Sequence, residues 1–280
     1  MLSTQHLRAG MTSSKIRWAM LTALLALLLR TPLSWLMEFL PVREDPALYY
    51  ALLSLRELLA WGLPALLLRP WKSPVYPPAQ RWLAPCAGAF LMGVVAQGAL
   101  MTVTARWAQW LGLELSRMLM PANGAQWLLA VLALVVVPAA AEEAFFRGGL
   151  LTALSERAAP WAAAGLSTAL FALMHGSLAG LPAHLAASLM CTLCMMRWGY
   201  LRFSVSFHLG YNAAALLLAG WNGSPTLSLA LGILLASWAL AVAGGISWYG
   251  SSQRMARRDR LLCALLLLAS ATLYLPDLLS

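Results

Sequence analysis

The sequence predicts an all-α, polytopic bundle of about eight or nine membrane-spanning helices plus one interfacial helix, and three observations predict it. The first is composition: of 280 residues, 61% are hydrophobic and only 10% charged, against roughly half apolar and about a quarter charged in a soluble domain. The second is blocking. Apolar residues recur in runs of roughly 17 to 25, the length a helix needs to cross a hydrocarbon core about 30 Å thick, and helices satisfy their own backbone in lipid. The third is the parity of the cationic residues, which gather in alternate connections between the runs.

Taken in order, spans are expected near 18–40, 47–69, 82–103, 125–146, 159–175, 181–198, 202–219, 225–247 and 261–276. With a cytoplasmic amino terminus, Arg8, Lys15 and Arg17 lie inside, as do Arg69, Lys72 and Arg81, then Arg157, then Arg197 and Arg202, then Arg254, Arg257, Arg258 and Arg260. The alternate connections offer only Arg43, Arg106 and Arg117. That asymmetry follows the positive-inside rule. It also accounts for the net charge of +9 without a nucleic-acid partner, because the arginines stand singly at helix ends rather than on one basic face.

The first run is interrupted by Arg30, and a signal peptide is its alternative reading, although no small-residue cleavage site follows. Read as a span, it puts Arg30 at the depth of Glu57 in the next helix, and an Arg30–Glu57 ion pair is expected, since an unpaired intramembrane charge is costly. Between the third and fourth spans, Arg106 to Met120 mixes Trp107, Trp110, Leu111, Leu115 and Leu119 with Glu114 and Arg117. That pattern predicts a helix lying in the interface, followed by a turn at Pro121-Ala122-Asn123-Gly124. The proline-rich connection with Pro70, Pro74, Pro77 and Pro78 reads as a linker, so the chain divides into a two-helix amino-terminal unit and loop (1–81), a core (82–220) and carboxy-terminal helices (221–280). Cys86, Cys191, Cys194 and Cys263 all fall in apolar runs and read as small buried hydrophobes rather than a disulfide framework.

Three polar sets interrupt these runs. In AEEAFFRGG, Glu143 and Arg147 are four apart on a helix and face the same way, while Glu142 points elsewhere. Arg147 is thus expected to hold Glu143 as a carboxylate and to leave Glu142 as a proton acceptor. In LFALMHGS, Phe171 and His175 are four apart; in SFHLGYN, so are His208 and Asn212. Each set alone has a bland reading: carboxylates solvated at a helix end, a hydrogen-bonded core histidine. Together they imply one polar site inside the bundle, because intramembrane polar side chains face the interior and each other, and Gly148, Gly149, Gly176 and Gly210 beside them allow close helix approach.

A carboxylate and a histidine can deprotonate and position a water, while an imidazole N–H and an amide can donate to an oxyanion. That set suits amide hydrolysis without a covalent intermediate. The sequence has no HExxH, no serine in a GxSG context, and no intramembrane aspartate pair, its aspartates being Asp45, Asp259 and Asp277. A zinc site of two histidines and a carboxylate on Glu142, His175 and His208 stays open. So does a transporter with Arg30, Arg56, Glu57 and Glu142 as a charge path, although no inverted repeat recommends it.

EEAFFR, FALMH and HLGYN resemble, in order, the EExxxR, FxxxH and HxxxN motifs of the CAAX protease and bacteriocin-processing (CPBP, or Abi) family of glutamic-type intramembrane endopeptidases. The gap of 33 residues from Glu142 to His175 is typical of that family. The resemblance covers roughly 82–220. It implies that Glu142 activates water with His175, that His208 and Asn212 form the oxyanion hole, that Glu143 and Arg147 support them, and that Phe171 packs beside the site. It implies no cofactor, a membrane-associated protein or peptide as substrate, and a prokaryotic plasma membrane as location. Some members are implicated in bacteriocin immunity or scaffolding, so a non-catalytic binding role for the same cluster is the alternative. Counted from the cytoplasmic ends, Glu142 and His175 lie deep and His208 shallower, by about 10 Å at 1.5 Å per residue.

Overall fold

The computed structural model describes residues 4–40, 44–68, 83–115, 118–156, 158–219, 224–247 and 257–274, with side chains described from Lys15 in the first helix and from Asp259 in the last. The expected linker around Pro70 to Pro78, and Arg43, Arg69, Lys72, Arg81, Arg117, Arg157 and Arg254, lie outside the described residues. Each expected span is a helix: α1 (Thr4–Phe39), α2 (Pro46–Leu68), α3 (Leu83–Leu111), α4 (Gly124–Ser155), α5 (Pro160–Met174), α6 (Leu181–Trp198), α7 (Leu201–Leu217), α8 (Pro225–Gly244) and α9 (Arg257–Ala271), which ends in a 3₁₀ turn, Thr272–Tyr274. Among the described residues, five are long and apolar enough to cross a membrane: α1 from Lys15, α2, α3, α4 and α8. The chain is an all-α integral membrane protein.

Its surface is correspondingly oily. Phe39, Leu66, Trp110, Leu217 and Leu240 are largely exposed, while the interior is rich in Ala, Ser and Thr. That distribution suits lipid, where burying leucine drives nothing and small residues let helices pack. One buried cluster draws on α1 (Ile16 to Leu27), α2 (Ala60, Trp61, Ala65), α4 (Phe145, Phe146, Leu150), α5 (Leu170, Phe171, Met174), α6 (Met195, Met196) and α9 (Cys263, Leu266). Both ends of the chain are therefore packed around α4 and α5.

The interfacial helix expected over 106–120 is not a separate element. Nothing in Val103 to Trp110 breaks a helix, so α3 runs on to Leu111 and stops where Gly112 turns left-handed at φ +71°. Trp107 and Trp110 belong to its last turns, and Trp107 Nε1–H donates to the Leu178 carbonyl at 2.9 Å. Residues 113–115 and 118–122 carry no helix, and the Tyr50 hydroxyl donates to the Leu119 carbonyl.

α3 and α7 touch backbone to backbone. A Cβ added to Gly210 would stand 2.0 Å from the Phe90 carbonyl oxygen, and one added to Gly93 would stand 2.0 Å from that of Phe207. The two glycines are reciprocal: each removes the side chain that would push apart the helix opposite. This contact sets the height of α7, and with it His208 and Asn212. Gly93→Ala and Gly210→Ala are each expected to destabilise detergent-solubilised protein by at least the roughly 1–3 kcal/mol of an overpacked core, read as a lower thermal midpoint. Gly165→Ala, on a helix position with nothing within 4 Å, is expected to leave the midpoint unchanged or raise it.

Candidate active site

α4 carries the first polar set, and its backbone is not a regular α-helix there. Leu132–Val136 is a widened, π-helical stretch ahead of Pro138, whose missing N–H and ring disrupt the preceding turn. After a short α-helical piece, Val137–Glu143, the helix widens again over Ala144–Leu151. Gly148 and Gly149 hold the α form weakly, and the Thr152 hydroxyl donates to the Arg147 carbonyl at 3.1 Å. Glu142 and Glu143 thus sit at the junction of two helical pitches, a common location for functional residues.

Glu143 and Arg147 are fully buried. Arg147 Nη1 donates to Glu143 Oε1 at 2.9 Å, as the four-residue spacing predicts. Its Nη2 reaches α6, donating to the Ser188 carbonyl at 2.8 Å and the Ser188 hydroxyl at 2.7 Å. The guanidinium also lies 4.5 Å from the Phe171 ring centre. The same Glu143 oxygen receives His208 Nδ1 at 2.9 Å. A carboxylate only accepts, so Nδ1 carries the proton. His208 therefore presents a bare Nε2 when neutral and an Nε2–H only as the imidazolium.

Glu142 turns the other way. Its Oε2 lies 3.5 Å from His175 Nε2 and 3.9 Å from His208 Nε2, and it accepts no hydrogen bond from a described residue. His208 is therefore level with Glu142, not about 10 Å shallower as counting from helix ends predicts. α7 begins at Leu201 and is held at that height by its glycine contact with α3. His175 caps α5, and its Nδ1 donates to the Phe171 carbonyl at 2.7 Å. The carbonyl can only accept, so neutral His175 offers its Nε2 lone pair towards Glu142. The buried Phe171 ring packs 4.3 Å from the His175 ring.

These groups line a cavity of about 240 Å³ together with Asn212. Asn212, half-buried in α7, brings a side-chain amide to the cavity lining. The structure thus brings together every residue of the three motifs. It adds His184, which lines the cavity and stacks 4.4 Å from His175, and Ser188, one turn further along α6. Both are polar residues of a membrane helix, the signal that marks a site by default, and they were passed over because LPAHLAAS fits no motif.

Arg30, Arg56 and Glu57 line the same cavity, but the expected Arg30–Glu57 ion pair does not form. Glu57 accepts from its neighbour Arg56, with Nε at 3.0 Å, and Arg30 Nη2 donates instead to the His175 carbonyl at 3.1 Å. That carbonyl is left over at the end of α5, where a helix has no partner of its own to offer.

Among the described residues, two groupings have metal-ligand chemistry. Glu142, His175 and His208 converge as above, and Glu143, Cys191 and His208 place ligand atoms within 4.8 Å of one another. In the second, the carboxylate is already taken by a guanidinium cation. In the first, Arg30 lines the same space as a cation, while Arg56 is paired with Glu57.

Because Arg147 is wholly buried, removing it strands the Glu143 charge. Arg147→Leu is expected to destabilise the detergent-solubilised protein by about 3–5 kcal/mol, read as a lower thermal midpoint. The double change Arg147→Leu with Glu143→Leu is expected to recover much of that loss.

Residues 124–214 match a family model described as Rce1-like, Type II CAAX prenyl endopeptidase Rce1-like. No curated protein and no solved structure matches the chain. The matched segment contains α4, α5, α6 and most of α7, and with them both glutamates, Arg147, Phe171, His175, His208 and Asn212. The segment that carries the three motifs is thus similar to the Rce1-like type II CAAX prenyl endopeptidases.

Proposed function

We propose that the protein is a glutamic-type intramembrane endopeptidase that hydrolyses a peptide bond of a membrane-associated protein or peptide. The observation that carries this reading is the facing pair of acceptors, Glu142 Oε2 and His175 Nε2, 3.5 Å apart in a lined cavity. Two acceptors cannot bond to each other. A water donates one proton to each, which polarises its oxygen for attack.

In this mechanism the water oxygen bonds to the scissile carbonyl carbon as one proton passes to Glu142. The carbonyl oxygen becomes an oxyanion, which accepts hydrogen bonds from the Asn212 amide and the Nε2–H of the His208 imidazolium. Glu143, with Arg147 and Ser188 behind it, holds the other end of that imidazolium. Collapse of the tetrahedral intermediate breaks the C–N bond, and Glu142 returns its proton to the departing amine. Phe171 aligns the His175 ring through its carbonyl and does not react.

The positive-inside pattern supports a cytoplasmic amino terminus, and the sequence resemblance supports a prokaryotic plasma membrane. On this reading 82–220 is the protease core, flanked by the amino-terminal unit 1–81 and the carboxy-terminal helices 221–280. The family name supports a CAAX-type carboxy-terminal substrate.

Glu142→Gln keeps the shape and removes the base, and is expected to lower kcat by on the order of 10²–10⁴-fold in a peptide-cleavage assay with purified protein. A Glu142→Ala chain that still supports the biological role would instead favour a non-catalytic immunity or accessory protein. Asn212→Ala is expected to lower kcat by on the order of 10²–10³-fold while leaving KM nearly unchanged. Cleavage is expected to be indifferent to a strong zinc chelator; loss of activity restored by added zinc would replace Glu142-bound water with a metal-bound one.

A further inference from the structure

His175 stands at the very end of its helix. α5 stops at Met174, His175 caps it, and the chain leaves through Gly176 at φ +65°. The last carbonyls of a helix lack their regular partners; here the His175 carbonyl, and the Ala172 carbonyl that also accepts the His175 N–H at 3.3 Å, receive side chains from the first helix and from the turn after the last. Arg30 in α1 donates to the His175 carbonyl at 3.1 Å. Tyr274, in the turn after α9, donates to the Ala172 carbonyl at 2.7 Å. Neither residue lies in the segment 124–214 that matches the peptidase family.

The turn is also enclosed by the same two elements. A Cβ added to Gly176 would stand 3.3 Å from Leu273 Cβ and 3.9 Å from Arg30 Nη1. A cation at this end of a helix is of the favourable sign. The Nδ1 bond to Phe171 sets the His175 ring relative to its own helix, because both residues belong to α5. It does not set the ring relative to Glu142, which α4 carries. Arg30 lines the cavity beside Glu142 and holds the carbonyl of the residue opposite it.

We propose that Arg30 is a positioning residue for His175: its guanidinium clamps the end of α5 so that the His175 ring keeps its water-sharing distance from Glu142. The amino-terminal helix is then part of the catalytic apparatus and not only a membrane anchor. This rests on the peptidase reading for its kinetic consequence, but not for its structural one.

The test uses the full chain in detergent, with Arg30→Ala and Arg30→Lys. Arg30→Ala is expected to lower kcat on the order of 10²-fold, the effect of a displacement of about 1 Å, with KM held within about twofold. Arg30→Lys, which keeps the cation, restores part of the loss, and added methylguanidine restores part of it in Arg30→Ala. Independently of turnover, diethyl pyrocarbonate modification followed residue by residue by mass spectrometry is expected to quicken at His175 in Arg30→Ala and to stay unchanged at His208. Unchanged reactivity at His175 overturns the clamp, and so does an equal rise at both histidines, which reports general loosening. A wild-type chain that cleaves no peptide defeats the peptidase reading, while the modification rates still decide the clamp.

Discussion

Glu143 and Arg147 are charged and fully buried in an apolar bundle, and the rest of the site is arranged around the way they neutralise each other. One carboxylate oxygen takes both the guanidinium of its own helix and the imidazole of α7, while the other arm of the guanidinium is anchored on α6. A single ion pair thereby ties three helices together at one depth. Such a pair gains little over apolar packing, but it cannot be half removed without stranding a charge. Its effect is to specify one arrangement: α7 must present His208, and α6 must present Ser188, at the level where α4 carries its glutamates.

That constraint leaves Glu142 free. With one oxygen of its neighbour engaged by both Arg147 and His208, Glu142 projects into the cavity towards two histidines whose far nitrogens are already committed, one to a carbonyl and one to Glu143. Each of these far nitrogens thus carries a proton fixed from outside the cavity, and only the Nε2 atoms face Glu142. The asymmetry between adjacent glutamates arises from helical geometry alone: neighbours diverge by about 100° around the axis, while residues four apart nearly align. The widened turns beside them show a backbone fitted to this use, since Pro138 and the Gly148–Gly149 pair occupy positions at which a regular helix is hard to keep.

The elements outside the family-matched segment are not passive. α1, α2 and the turn after α9 contribute Arg30, Arg56, Glu57 and Tyr274 to the cavity or to the helix end beside it. α3 contributes nothing polar to the cavity, yet its contact through Gly93 with α7 sets where His208 lies. The site is held by the whole bundle, as expected where helices associate through packing and hydrogen bonds rather than by expulsion of water.

The sequence by itself determined the helical class, the placing of the helices and the gathering of the three motifs at one polar cavity. Each is a local property: hydropathy over a span length, and a four-residue spacing that puts Glu143 with Arg147, Phe171 with His175 and His208 with Asn212 on shared faces. Only the tertiary structure decided what these faces meet. Arg30 was legible as an intramembrane charge but not as a clamp, because its partner is a backbone carbonyl 145 residues away, and carbonyls leave no mark in a sequence. The level of His208 was misjudged for the same reason: it depends on where two glycines let α3 and α7 touch, a contact between helices that no count along one of them contains. His184 was missed because its place is defined by the ring of His175 and not by any spacing of its own.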